Sequence, residues 1–420
     1  MASTSAASGT ESSGEWSASG WLAWLRRLES PVATYYLLLG ATTMLIIIGL
    51  VMVLSASSVE SYASSGSSYT VFLSQLEFAA LGVAAALVVS RLSVGFLRTV
   101  APWAFAGAVA LQGLVFSPLG VTVLGNRNWI ELAGQRMQPS EFAKVALVLL
   151  AATVLTRKRR LLDRFRHVLV PLVLPCGGLL VLLVLLGHDL GTALVLLAII
   201  AGVLFAAGVP LRGFLVAGVS FAALAGALVV TSPNRMGRIT TWLGTCADAH
   251  AAGCWQKVHG QYALADGGWW GVGLGASREK WSWLPEAHND FIFAIIGEEL
   301  GLPGTLVVIG LFAVLAFACY RLVLRTDDFF VRIASAGIMV WILSQAIINI
   351  GAVIGLLPII GVPLPLVSSG GSALVTTLVA IGILFSFARN EPGCKEALRA
   401  RPSLARRTLA VVSRQRQEDA

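Results

Sequence analysis

The stretch Trp283-Leu-Pro-Glu-Ala-His-Asn-Asp-Phe-Ile-Phe-Ala-Ile-Ile-Gly-Glu-Glu-Leu-Gly301 leaves a polar loop and enters an apolar run that continues to residue 324. It decides the fold class, because an apolar run of this length belongs to a membrane-spanning segment. The mouth of that segment carries Glu286, His288, Asp290, Glu298 and Glu299. Ionisable groups at such a depth cost a few kcal/mol each, so a functional reading is the default. Pro285 suits the start of a helix, where first-turn acids would meet the positive end of the helix dipole. At 1.5 Å per residue the run from 288 to 324 would reach about 55 Å, against a hydrocarbon core of about 30 Å. Gly301, Pro303 and Gly304 offer a break inside it. A short helical piece carrying the acids, followed by the main span, is expected.

The rest of the chain agrees. Of its 420 residues 56% are hydrophobic and 12% charged, with a mean hydropathy of +0.80. A soluble domain has about 25% charged residues. Apolar runs lie near 35–55, 71–92, 100–120, 142–156, 168–186, 189–207, 211–230, 288–324, 331–357 and 366–388. The expected fold is an all-α polytopic membrane protein of about ten transmembrane helices. Residues 1–30 read as a disordered N-terminal tail without a signal peptide, 31–389 as the transmembrane domain and 390–420 as a basic tail.

An even number of spans puts both termini on one side. With the N-terminus in the cytoplasm, all but eight of the 30 Lys and Arg residues fall in cytoplasmic segments, including Arg157-Lys-Arg-Arg160 and the C-terminal tail. This accounts for the net charge of +8 without a nucleic-acid partner. It also leaves a large extracytoplasmic loop, 231–287, between helices 7 and 8. Of the eight exceptions, Arg235, Arg238, Lys257, Arg278 and Lys280 lie in that loop and read as solubility or headgroup contacts. Arg127, Arg136 and Lys144 cluster with Trp129 and Gln138 before helix 4 and read as an anion-binding group. Lys144 is also placed for a salt bridge to Glu141, three residues earlier. The loop holds six tryptophans suited to a membrane interface, and its Gly-rich run 266–275 suits close backbone packing. No strand precedes that run, which argues against a nucleotide site. Cys246 and Cys254 share the loop and are a candidate disulfide. Three prolines and four glycines in 355–372 prevent a continuous helix there. Non-helical backbone at membrane depth survives where protein or a wet cavity satisfies it, so this segment is expected to line the outer cavity, with Ser368 and Ser369 as hydrogen-bonding groups.

Four motifs then occur in order: Trp129-Ile-Glu-Leu with Gln135-Arg-Met-Gln-Pro-Ser-Glu-Phe-Ala-Lys144, His188-Asp-Leu-Gly-Thr192, Pro285–Gly301, and Gly355-Leu-Leu-Pro with Pro365-Leu-Val-Ser-Ser-Gly-Gly371. Together they resemble the SEDS family (shape, elongation, division and sporulation) of bacterial envelope proteins. The run 287–299 is most similar to the division branch, FtsW, with the elongation branch, RodA, next. The resemblance implies a peptidoglycan glycosyltransferase of the cytoplasmic membrane, multi-pass and at the division septum. It would polymerise lipid II at the outer face, release undecaprenyl diphosphate, and act with a class B penicillin-binding protein and divisome proteins. It also implies that the catalytic aspartate is Asp290, and that a divalent cation (Mg or Mn) could assist. The chain departs from the family pattern in three places. Ile359-Ile360 replaces a common Thr-Lys pair, Ser369 stands where tyrosine is usual, and an Arg-Trp pair is spaced as Arg127-Asn-Trp129.

Glycosyl transfer needs a base for the acceptor hydroxyl and charge stabilisation for the leaving diphosphate. Asp290 is the candidate base. Glu286, four residues earlier, would share a helical face with it and raise its pKa if the helix begins early enough. Arg127, Arg136 and Lys144 would hold the diphosphate, with Gln138, His288, Ser368 and Ser369 as further contacts to lipid II. Glu298 and Glu299 lie about 100° apart on a helix, so they are read as partners of buried donors and not as one cavity's pair. Asp189 reads as a helix cap, and Glu77 as paired with a polar group inside the bundle. A lipid flippase and a non-catalytic scaffold for the penicillin-binding protein are the alternatives; the ionisable residues concentrate at the outer mouth, which favours surface chemistry.

Overall fold

The computed structural model describes residues 30, 32–123, 126–132, 134–162, 169–210, 214, 226, 233–244 and 254–400. One unit is Thr34–Glu391, the helical bundle. A second comprises Met1–Ala33 and Pro392–Ala420, where a short helix, Cys394–Ala400, is described.

In chain order the bundle holds α1 (Ala33–Ser65), α2 (Thr70–Val89) and α3 (Val94–Leu114), then strands β1 (Gly120–Val123), β2 (Asn126–Leu132) and β3 (Gln135–Met137). After them come α4 (Pro139–Arg157), a π-helical segment Leu169–Gly178 that runs into α5 (Leu179–Leu186), and α6 (Leu190–Ala206). The remaining elements are α7 (Pro233–Leu243), α8 (Cys254–Gly267), α9 (Ile292–Arg325), α10 (Phe329–Val353) and α11 (Gly371–Arg389). Among the described residues seven helices are long and apolar enough to cross a membrane: α1, α2, α3, α4, α9, α10 and α11. Two further apolar helices, near Pro175–Leu186 and Leu190–Ala206, are shorter. The expected span over 211–230 lies outside the described residues apart from two positions.

Three expectations are corrected. The fold is not purely helical: β1, β2 and β3 form an antiparallel sheet in sequence order. Gly134 turns the chain between β2 and β3 with φ 77°, and Glu131 faces Arg136 across them. The alternation Val121-Thr-Val and the Gly punctuation were the available signal. Second, the stretch 231–285 contains α7 and α8 and is more than a loop. Third, α9 begins at Ile292, so Glu286, His288 and Asp290 precede the helix in tight turns. Glu286 itself adopts φ 59°, and its carbonyl accepts from Asn289 N and Phe291 N. The helical-face pairing of Glu286 with Asp290 is therefore not formed.

The break in α9 falls where the sequence places it. Gly301 has φ 65° and ψ −161°, a conformation open to glycine without penalty. The Gly-rich run takes up the backbone groups exposed there: Val272 N donates to Glu298 O at 2.9 Å and Gly273 N to Glu299 O at 3.0 Å. A Cβ at Gly267 would lie 1.9 Å from the Gly297 carbonyl oxygen. Gly267→Ala should therefore lower stability by about 1–3 kcal/mol through overpacking, seen as a drop in the unfolding temperature. An unchanged value would mean that α8 can move off α9 freely.

Glu298 and Glu299 are fully buried and do receive buried donors. Ser277 Oγ and Arg278 N donate to Glu298 at 2.6 and 2.7 Å, while Ser55 Oγ and Lys280 Nζ donate to Glu299 at 2.6 and 3.2 Å. Contrary to the helical-wheel argument, both acids reach one residue, because Ser277 gives its hydroxyl to Glu298 and its N–H to Glu299. Lys280 is likewise no surface residue: it is 7% exposed and pairs with Glu299. Glu77 departs the other way. It is exposed on α2 between Leu73 and Leu81, and no contact with a polar partner is seen among the described residues.

The non-helical segment that ends α10 and precedes α11 reaches the middle of α1, where a Cβ at Gly49 would lie 2.7 Å from the Leu366 carbonyl. Buried polar side chains satisfy its backbone, as a low-dielectric site requires. Asn349 Nδ2 donates to Val362 O, Gln75 Nε2 donates to Ser368 O, and Gln75 Oε1 accepts from Gly370 N.

Candidate functional site

Asp290 sits at the last turn before α9, and three successive carbonyls around it are pinned. His288 O accepts from Ser369 N at 2.9 Å, Asn289 O from Ser368 Oγ at 2.7 Å, and Asp290 O from Asn349 Nδ2 at 2.8 Å. Ser368 Oγ also accepts from Leu364 N at 2.8 Å. Ser368 and Ser369 thus brace the acidic turn against the irregular segment, Ser368 by its side chain and Ser369 by its backbone. The segment's own glycine forms the wall: a Cβ at Gly361 would stand 3.4 Å from Asp290 Oδ2. A narrow cavity is lined there by Asp290, Ile348, Asn349, Ile360 and Val362. Asn349 Oδ1 is buried with no hydrogen-bond partner among the described residues.

The surroundings push the Asp290 carboxyl up from 3.8 to about 7. Burial is the main cause. The nearby carboxylates Glu286 and Asp189 add to it, while Arg238 opposes. Asp189 caps α6, accepting from Thr192 N at 2.8 Å and Thr192 Oγ1 at 2.7 Å. Gln138 joins it, donating through Nε2 to Asp189 Oδ2 at 3.0 Å, while its backbone N donates to Ser372 Oγ. Burial raises the Asp189 carboxyl as well, offset by its bonds to Thr192 and the Lys144 charge. Gln138, Asp189, Glu286 and Asp290 are therefore one polar neighbourhood assembled from three separate segments.

The other residues named from the sequence have different surroundings. Glu286 Oε2 accepts from Asn289 Nδ2. His288 Nδ1 lies 3.3 Å from Glu60 Oε2. Arg127 docks the sheet, its guanidinium donating to Ser117 O at 2.9 Å and its backbone N to Gly187 O. Arg136 stands exposed at the rim with a 3.3 Å pair to Glu131. Lys144 is 1% exposed, held by Glu141 at 2.6 Å and lying 5.0 Å over the Trp341 ring. The three cations thus each have a protein partner. Cys254 is disulfide-bonded, and Cys246 lies outside the described residues. Among the described residues no three His, Cys, Asp or Glu side chains come together to hold a metal.

Two contributors went unread in the sequence. Asn349 is one polar residue in an apolar span, and nothing in its spacing signals that it pins Asp290. Arg238 was grouped with the loop's solubilising charges. It sits on α7, which docks through Trp242 Nε1 to Gly355 O at 3.2 Å.

Comparison with known proteins places the fold in a family. A family model for FtsW, RodA and SpoVE, described as "Cell cycle protein", matches residues 36–392. A probable peptidoglycan glycosyltransferase FtsW of Mycobacterium tuberculosis is 41% identical over 379 residues, covering 90% of this chain and 71% of that one. Stage V sporulation protein E of Bacillus subtilis is 36% identical over 355 residues, covering 84% and 96%. Among solved structures, a chain from a peptidoglycan synthase complex that coordinates polymerization and crosslinking superposes with a TM-score of 0.67 at 26% identity, covering 84% of this chain and 97% of that one. The Thermus thermophilus rod shape determining protein RodA gives a TM-score of 0.63 at 26% identity, covering 84% and 96%. A bundle of this kind, with the acidic turn, the braced irregular segment and a family match along nearly all of it, belongs to the FtsW/RodA/SpoVE family of cell cycle proteins.

Proposed function

We propose that this chain is a peptidoglycan glycosyltransferase that polymerises lipid II at the outer face of the cytoplasmic membrane, in septal wall synthesis. The observation that carries the reading is the half-buried Asp290 carboxyl, on a turn whose backbone is pinned, with its pKa pushed up to about 7 beside a walled cavity. A base works best when its pKa is near the working pH. In the reaction the acceptor sugar hydroxyl attacks C1 of the donor, and the bond from C1 to the diphosphate oxygen breaks. The hydroxyl proton passes to Asp290, and the leaving undecaprenyl diphosphate takes the bonding electron pair. Glu286 tunes the base by its charge. Gln138 holds Asp189 and orients that side of the site.

The positive-inside pattern supports cytoplasmic termini and an extracytoplasmic Asp290. Likeness to a chain of a polymerising and crosslinking complex supports a class B penicillin-binding protein as partner, and the FtsW relatives support divisome membership and a septal site.

The test is glycan-strand formation from purified lipid II, with the protein reconstituted beside a class B partner whose transpeptidase is inactivated. Polymer from that complex supports the reading; bilayer transfer of lipid II without polymer would replace it with a flippase. The pH dependence is a separate prediction. Asp290 acts as its anion, so kcat/KM should fall about tenfold per unit as pH drops below about 7 and level off above it. A flat profile between pH 5.5 and 7.5 would remove Asp290 from the role.

A further inference from the structure

The leaving diphosphate develops negative charge that a cation stabilises. Arg127 and Lys144 are engaged in the protein, one bound to a carbonyl and the other buried against Glu141. Arg238 is differently placed. Its guanidinium is exposed and donates to Ile359 O at 3.4 Å. It lines a cavity of about 60 Å³ with Thr241, Gln256, Lys257 and Ile359. That cavity and the one at Asp290 share Ala352 and Ile359 as walls. Two residues beyond Ile359, Gly361 closes on the Asp290 carboxylate. The backbone of 359–361 thus has a base at one end and a guanidinium at the other.

The neighbouring cation is committed. Lys257 Nζ donates to Thr241 O, Trp242 O and Gly244 O at 3.0, 3.1 and 3.2 Å, closing the C-terminus of α7. A guanidinium offers five N–H donors in a fork that matches phosphate oxygens, and one of them is used on Ile359. The side chain also stands close enough to be felt by Asp290, whose carboxyl it pulls downward.

We infer that Arg238 is the substrate-binding residue that holds the diphosphate of the lipid-linked donor beside Asp290. This rests on the glycosyltransferase reading above. Arg238 delivers its charge from α7, a helix docked on the cavity through Trp242.

The experiment compares Arg238→Gln and Arg238→Lys with wild type in the reconstituted polymerase complex. Glutamine keeps a donor for the Ile359 carbonyl and removes the charge; lysine keeps the charge and loses the fork. The expected result is a loss in kcat/KM of about 10- to 100-fold for Arg238→Gln, with an intermediate loss for Arg238→Lys and unfolding temperatures equal to wild type. The acid limb of the pH profile should move to higher pH in Arg238→Gln, since the cation no longer favours the Asp290 anion. Inorganic diphosphate should inhibit wild type and lose its effect on the glutamine variant. Wild-type kcat/KM with unchanged diphosphate inhibition in Arg238→Gln would overturn the proposal. Equal losses in both variants with a lowered unfolding temperature would make Arg238 a brace for 357–361, which also overturns it. If wild type forms no polymer, the glycosyltransferase reading fails on its own. Arg238 is then judged by whether inorganic diphosphate raises the unfolding temperature of wild type and not of Arg238→Gln; no difference would overturn it.

Discussion

Asp290→Asn is expected to reduce lipid II polymerisation by about 10²- to 10⁴-fold, the usual contribution of a positioned general base. The variant should keep its fold and its partner. Its backbone role is untouched, because the bond from Asn349 goes to the Asp290 carbonyl and not to the side chain. The sign of the stability change separates a catalytic carboxylate from a structural one. The Asp290 carboxyl is raised in the folded protein from 3.8 to about 7, so the folded state binds its proton more tightly than the unfolded chain does. Stability from this group is present in acid and is lost as pH rises between those two values. Asparagine has no such loss. Asp290→Asn should therefore be at least as stable as wild type at pH 8, with the advantage shrinking towards pH 4. Unfolding temperatures across that range read it directly, alongside strand synthesis at pH 7.5. A variant that is active, or one that is inactive because it unfolds, would refute the assignment.

Lys144→Ala carries the largest expected effect on stability, a loss of about 3–5 kcal/mol. Its ammonium and the Glu141 carboxylate are 2.6 Å apart with side chains 1% and 3% exposed. Removing one partner strands the other charge in a dry interior, and the contact with Trp341 goes as well. The double replacement Lys144→Met with Glu141→Leu should recover most of the loss, because an apolar pair of similar volume removes both desolvation terms. For comparison, the exposed pair of Arg136 and Glu131 is worth no more than about 1 kcal/mol. Chemical unfolding of the purified protein measures both. If Lys144→Ala left the unfolding midpoint in place and instead raised KM for lipid II, the lysine would be a substrate ligand and not half of an internal pair.

Much of the architecture was legible because membrane insertion leaves a coarse, local signature. The spanning runs, the break at Gly301 and the interruption of helix over 355–372 all follow from residue composition over short windows. The position of Asp290 at the mouth of an apolar run was legible too. The small sheet was missed because its strands are short and lie beside long helices that dominate any hydropathy reading. The early start expected for α9 failed on one backbone angle, the positive φ of Glu286, which no spacing argument reveals.

By itself, then, the amino-acid order determined that this is a many-span membrane protein with carboxylates gathered at the mouth of one span. Those properties depend on local hydrophobicity and on residue identity. Only the tertiary structure decided which charges are available to a ligand. Lys144 and Arg238 are both basic residues outside the expected cytoplasmic segments, yet one is sealed against Glu141 and the other lines an open cavity. The pairing of Lys144 with Glu141 is local, but Trp341 covers that lysine and Ile359 anchors Arg238, each more than a hundred positions away. Burial fixes a charge's electrostatic environment as much as pairing does, and burial is a property of the packed bundle and not of the neighbouring sequence.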